Sequence, residues 1–405
     1  MRAQAGRVLA LCVGLGAWLE PAEGRAQAQQ QWSLALDSGA EYDTNIHRCE
    51  SDQPSCPVTA APLARSTARL SLGWQPQPDR RLQILGFGGA RLFADEGDRG
   101  ENLAVLSGDA RYAWDLPARR ASMAVRGAYY DTFGHEAPAD EDGIARRHYA
   151  VANGELQLTV TGGEGHQLTM LGGYRSFRYK PDQDFDWRGD HYGARYRTTV
   201  WSTRANDGDG GDGVAVAAVE LSAWYEAERR GYQGRALRNI CGPQQMLGPR
   251  CLGETNQRRA DLSHRAGAEV SYTGDRIYSA RYQLDVIDSS SAGPYAQVRH
   301  RLELGTTTEL VAGVFATAEA ALQVIRYRDA LLVLDGAVPE PDPGSDFVAI
   351  DDENRNALSL HLARDLGEAW SIEGRYALYT GALPSPDPSF LRQIFYLGVA
   401  YRYRP

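Results

Sequence analysis

The chain has 405 residues, 43% of them hydrophobic and 23% charged, with a formal net charge of -9 and a mean hydropathy of -0.45. An acidic balance without a basic tract excludes a general nucleic-acid partner. After the N-terminus no stretch approaches the roughly 18 apolar residues of a membrane helix, so any crossing of a membrane falls to strands.

The first residues read as an export signal. Arg2 and Arg7 form a positive start, Val8 to Leu19 an apolar run, and Ala26-Gln27-Ala28 an A-x-A cleavage site. Residues 1–28 are therefore predicted to be a signal peptide, with residues 29–405 as one mature domain. Leu11 precedes Cys12 where a lipoprotein signal needs a small residue, so lipidation is not expected.

From Gln29 onward one pattern recurs: apolar residues at every second position over about ten residues, bounded by turns. That is the mark of a transmembrane β-barrel, whose outer face meets lipid and whose inner face meets water. The first strand runs from Trp32 to about Tyr42, and a loop with Cys49 and Cys56 follows. Further strands carry Ser66–Trp74, Leu82–Leu92, Leu106–Trp114, Ala121–Tyr130, Tyr149–Val160, Gln167–Tyr179, Trp187–Trp201 and Val214–Glu228. The longest loop of the first two thirds is predicted at Arg229 to Gln257, and it holds Cys241 and Cys251. Strands follow at Ala260–Tyr272, Tyr278–Val286, Tyr295–Thr306, Val314–Arg326, Ala357–Leu366, Trp370–Tyr379 and Leu391–Tyr403, with Gly274-Asp275 a hairpin signal. The reading is an all-β, antiparallel, up-and-down barrel of about 16 strands, with 14 to 18 the working range. A soluble β-sandwich is the competing architecture, but it seldom supplies so many similar hairpins. Trp74, Trp114, Tyr129, Tyr179, Trp201, Tyr272 and Tyr403 stand near strand ends, where an interfacial girdle is expected.

In an exported chain four cysteines in two local pairs read as disulfides. Three connectivities are possible, and Cys49–Cys56 with Cys241–Cys251 is the local choice. Without C-x-x-C spacing or a nearby His pair, no metal is expected; no cofactor is expected either.

If the apolar positions face lipid, the alternate ones face a lumen rich in Arg and carboxylate. The pore-lining candidates are Arg195 and Arg197, Arg299 and Arg301, and the neighbouring Arg281 and Glu303. Guanidinium forks in a polar wall suit hydrated, hydroxyl-rich or anionic solutes. The plainer reading is that opposed charges pair and stiffen the wall. His264 and His300 fall in register with the apolar set and so face lipid or a partner. Neither has a Ser two residues away on its face, and no G-x-S-x-G stretch is present, so no enzyme is expected.

The last strand, Phe395 to Tyr403, resembles the closing strand of bacterial outer-membrane barrels, although Arg404-Pro405 follow its final aromatic. Tyr42-Asp43-Thr44-Asn45 is similar to a stretch that opens outer-membrane barrels linked to exopolysaccharide secretion and to surface lipoprotein assembly. That resemblance implies a bacterial outer-membrane location and a conduit for polysaccharide export that acts with a periplasmic export protein. The alternatives are a general or anion-biased diffusion porin, then a structural or adhesive barrel or a membrane-embedded enzyme.

Overall fold

Alternation along Phe395-Tyr396-Leu397-Gly398-Val399-Ala400 has a direct structural consequence. Phe395, Leu397 and Val399 are exposed on the outside, whereas Tyr396 and Ala400 are 4% and 5% exposed on the inside. The computed structural model describes residues 29–46, 58–94, 102–116, 120–134, 148–163, 165–180, 182–204, 215–240, 252–293, 295–311, 313–328, 356–381 and 390–404. Residues 1–28 and all four exported cysteines, Cys49, Cys56, Cys241 and Cys251, lie outside them.

Within the described residues the strands are β1 (Gln29–Asp43), β2 (Ala61–Gln77), β3 (Arg80–Phe93), β4 (Leu103–Leu116), β5 (Ala121–Gly134), β6 (Tyr149–Thr161), β7 (His166–Tyr179) and β8 (Trp187–Arg204). They continue with β9 (Ala215–Asn239), β10 (Leu252–Thr273), β11 (Arg276–Ser289), β12 (Gln297–Val311), β13 (Val314–Tyr327), β14 (Asn356–Asp365), β15 (Trp370–Thr380) and β16 (Leu391–Tyr403). Each strand pairs antiparallel with its chain neighbours, and β1 pairs with β16 to close the barrel. No helix among the described residues is long and apolar enough to cross a membrane; the strands do the crossing, since closure satisfies every backbone group without an edge.

Connections alternate in length. Residues 78–79 and 274–275 turn at one end, whereas 44–60, 135–148 and 328–355 connect at the other. Short turns mark the periplasmic side and long loops the extracellular side. Near the short-turn end, Trp32 and Tyr403 are 4.9 Å apart, Trp370 and Tyr401 4.8 Å, and Tyr272 and Tyr278 6.1 Å, ring to ring. These outward rings form an interfacial belt. Tyr179 departs from the predicted girdle: it is buried and faces inward.

The stretch predicted as a loop at 229–257 is mostly strand. β9 continues to Asn239 and β10 begins at Leu252, with Tyr232, Gly234 and Ala236 buried and Arg229, Gln233 and Arg235 exposed. Polar residues on the outer face signal that the hairpin has left the apolar slab; the backbone ladder itself does not need lipid and runs on.

The seam between β1 and β16 explains Tyr42-Asp43-Thr44-Asn45. Thr44 N–H donates to the Gln393 carbonyl at 3.0 Å, and Gln393 N–H donates to Thr44 Oγ1 at 2.8 Å. Asn45 Nδ2–H reaches the Leu391 carbonyl at 3.3 Å, and Asn45 N–H donates to Asp43 Oδ1 at 3.0 Å. The motif is the clasp that closes the barrel. Lower on the seam, a Cβ on Gly398 would collide with the Tyr396 hydroxyl. Glycine there lets the Tyr396 ring lie over the backbone and donate to Asp37 Oδ1 at 2.5 Å.

Candidate functional site: the barrel lumen

The inner face of β1 carries Asp37, Glu41 and Asp43, all buried. Asp43 is held by Arg392 and, at 2.7 Å, by Arg91; Glu41 takes Arg91 at 2.6 Å and Arg65 at 3.3 Å. Two carboxylates from one strand thus gather three guanidiniums from β2, β3 and β16. Burying such charges is costly unless they are paired at close range, and the multidentate arrangement gives each carboxylate oxygen of Glu41 and Asp43 an arginine partner.

Similar groups recur around the extracellular half. Glu228 binds Arg175 at 2.9 Å and Arg230 at 2.6 Å; Asp261 binds Arg259 at 2.5 Å; Asp285 binds Arg265 at 2.9 Å. Arg126 spans Asp109 at 2.6 Å and Glu155 at 3.3 Å, and His191 Nε2 lies 3.4 Å from Glu155. Between these groups runs an inward-facing aromatic row with one member on each of five consecutive strands. Tyr130, Tyr149, Phe177, Trp187 and Tyr232 follow one another at ring separations of 5.3, 5.5, 5.9 and 6.4 Å. All five are buried, and Phe87, Val105, Val151 and Tyr179 join them in one apolar cluster. Arg230 stacks 4.7 Å over Trp187, and Arg259 lies 3.9 Å from Tyr232 and 3.8 Å from Tyr295. An inner face expected to be simply polar is, at this height, a packed interior of rings and paired ions.

The periplasmic half differs. Arg69 and Ser71 on β2, Gln83 and Leu85 on β3, Arg195 and Arg197 on β8 and Glu319 on β13 are inward and exposed. The wall of β15, β16 and β1 is an exception, with Ser371, Glu373 and Ala400 buried. There Arg375 bridges Glu373 at 2.8 Å and Asp37 at 3.0 Å.

All six pore-lining candidates lie on the inner face, in three different situations. Arg195 is exposed, stacks 5.6 Å over Trp224 and forms no ion pair among the described residues. Arg197 is exposed but paired with Glu220 at 2.8 Å, and Arg301 is paired with Glu303 at 2.6 Å. Arg281 lies 3.9 Å from Glu303 and 4.7 Å over Trp224, on the side opposite Arg195's strand. Arg299 is buried. The residues that sequence reasoning missed are the strongest binders of charge: Asp37, Glu41, Asp43, Arg65, Arg230, Glu373 and Arg392. Their signal was available in the alternation itself, since Asp37, Glu41 and Asp43 sit opposite in phase to Trp32, Leu36 and Tyr42.

His264 and His300 face outward, as read from the sequence. Each shares a hydrogen bond with a tyrosine on the preceding strand, Tyr225 hydroxyl to His264 Nδ1 and Tyr282 hydroxyl to His300 Nδ1, both at 2.7 Å. A polar ring among apolar neighbours thereby finds a partner. Among the described residues no group of three metal-ligating side chains converges.

No family model and no curated protein matches the chain. Among solved structures, it is similar to Pseudomonas aeruginosa OccK8 (OprE), at 10% identity and a TM-score of 0.43, over 93% of this chain and 98% of that one. The Salmonella typhi OmpF complex with daunomycin aligns at 12% identity and a TM-score of 0.44, covering 92% and 97%. An anion-selective porin from Comamonas acidovorans aligns at 10% identity and 0.39, covering 93% and 100%. The closed ladder, the outward apolar band and the aromatic belt make this chain a 16-stranded β-barrel of the bacterial outer membrane.

Proposed function

We propose that the barrel is an export conduit for hydrated, hydroxyl-rich or anionic polymer, a polysaccharide in the most concrete reading. The observation that carries it is the gradient along the lumen: exposed guanidinium and hydroxyl groups toward the periplasm lead to an aromatic row between charged clusters toward the outside. Sugar hydroxyls take the exposed guanidinium and hydroxyl partners of the open half; passage beyond it requires the buried row to open, and its rings then offer apolar sugar faces a stacking surface. A vestibule on the periplasmic side fits cargo handed over by a periplasmic export protein. No catalytic step is assigned to the chain.

A second reading, an anion-biased diffusion porin, is favoured by Arg69 and Arg195, exposed inward guanidiniums without an ion pair among the described residues. Planar-bilayer recording separates the two. For the conduit, anionic oligosaccharide added on the periplasmic side blocks the current at lower concentration than on the extracellular side. Equal block from both sides favours the porin; no block by any oligosaccharide removes the polysaccharide reading.

A further inference from the structure

The inside of this barrel pairs most of its arginines, but on the outside Arg178 of β7, Arg188 of β8 and Arg229 of β9 are exposed and make no hydrogen bond or ion pair among the described residues. They are neighbours across three consecutive strands. Arg188 pairs in register with Ser176 and with Gly231, which places it diagonal to both Arg178 and Arg229, within reach of long side chains. Arg258 of β10, also exposed, stands higher, opposite Arg235 in register.

Their height matters. Each is the first charged outward residue above the apolar band on the long-loop side, apart from Asp190, which stands opposite Arg229 in register. Below them the outward face carries Tyr174, Tyr192 and Tyr225, with Tyr192 60% and Tyr174 53% exposed, and Leu262 directly opposite Arg229. Carboxylates are near: Asp182 is exposed beside Asp186, and Asp131 is paired with Lys180 at 2.6 Å. Asp190 is exposed, and buried Asp186 is already engaged, accepting from Tyr179 N–H at 2.6 Å and Gln233 Nε2 at 3.5 Å. At the corresponding outward positions β2, β3, β4 and β6 carry Ala64, Ala90, Ala104 and Ala150, while β13, farther round the barrel, carries the exposed Arg326. Three such arginines on consecutive strands, at diagonal positions, occur on β7–β9.

We infer that the outer surface of β7–β9 is a binding site for a phosphate-bearing glycolipid of the outer leaflet. The three guanidiniums take the phosphate, and the acyl chains lie against the exposed tyrosines and Leu262. Guanidinium forks match phosphate oxygens in pairs, and aromatic and aliphatic side chains beneath them supply the apolar half of an amphiphile's contact. The site is independent of what passes through the lumen.

Native mass spectrometry of the detergent-purified barrel tests this with two probes, a bis-phosphorylated diglucosamine lipid and the same lipid stripped of phosphate. Wild type retains the phosphorylated lipid, and Arg178→Gln/Arg188→Gln/Arg229→Gln loses it. At about fivefold per guanidinium near a lipid surface, the triple variant weakens binding on the order of a hundredfold. Heat-modifiable gel migration verifies that the variant folds, and the single Arg229→Gln variant, about fivefold weaker, carries the test should the triple fail to fold. Equal retention of the two lipids, unchanged binding by the variants, or full displacement by millimolar inorganic phosphate would each overturn the assignment.

Discussion

The two halves of the lumen are built from the same strands and the same alternation, yet they have opposite character. Toward the extracellular end, Trp187, His191, Asp43 and Arg392 are fully buried among rings and paired ions; toward the periplasm, Arg195, Arg197 and Arg69 are exposed. Strand period decides only that a residue faces inward. Whether an inward residue is wall, plug or solvent-lining depends on what the strands across the lumen and beside it place at the same height. An arginine next to two inward carboxylates becomes structural, as Arg91 does, whereas one beside a tryptophan and no carboxylate, such as Arg195, remains available.

The sharpest way to break this contrast is Trp187→Ala. Removing the largest ring of the aromatic row costs about 3–5 kcal/mol in a packed site, and unit conductance rises because the packed half loosens. Urea unfolding in vesicles and single-channel recording report the two effects; a stable variant with unchanged conductance would place the constriction elsewhere. Arg392→Met comes next. It leaves Asp43 with Arg91 as its remaining close cation, and breaking a buried pair in this way costs about 3 kcal/mol. The heat-modified band should shift at lower temperature, with selectivity unaltered.

Gly398→Leu acts on the seam. Its side chain meets the Tyr396 hydroxyl and displaces it from Asp37, a loss of about 1–3 kcal/mol from overpacking, visible in the same gel assay. A fully tolerated leucine would show that the Tyr396–Asp37 bond is dispensable for closure. The smallest effect on stability belongs to the open half: Arg195→Ala stays within about 0.5 kcal/mol of wild type, while the anion-to-cation permeability ratio falls. Glu220→Gln moves that ratio the other way by freeing Arg197. If reversal potentials for both variants match wild type, the exposed arginines do not set selectivity.

Much of the fold was legible beforehand. The strand positions and the up-and-down order followed from alternation, and the alternation at Phe395–Tyr403 has the phase that the structure displays. Strand ends were less legible: β9 and β10 extend through the predicted loop because a ladder outside the bilayer can carry polar residues on both faces. The lumen was legible in direction but not in partnership. Arg197 and Arg301 were read as lining the pore, either open to solute or paired within the wall, and the structure pairs them with Glu220 and Glu303. Tyr42-Asp43-Thr44-Asn45 stood out as a motif, but its role as a clasp needed the pairing of residues 349 positions apart, as in Asp43 with Arg392.

By itself, then, the sequence determined the class of structure and which face each residue takes, because a period of two is a local property of extended chain and the bilayer rewards only one phase of it. Only the tertiary structure decided which inward charges cancel, which rings stack into one row and which arginines stay free. Those outcomes depend on barrel closure and on register between strands, and register is set by the whole ring of hydrogen bonds rather than by any segment alone.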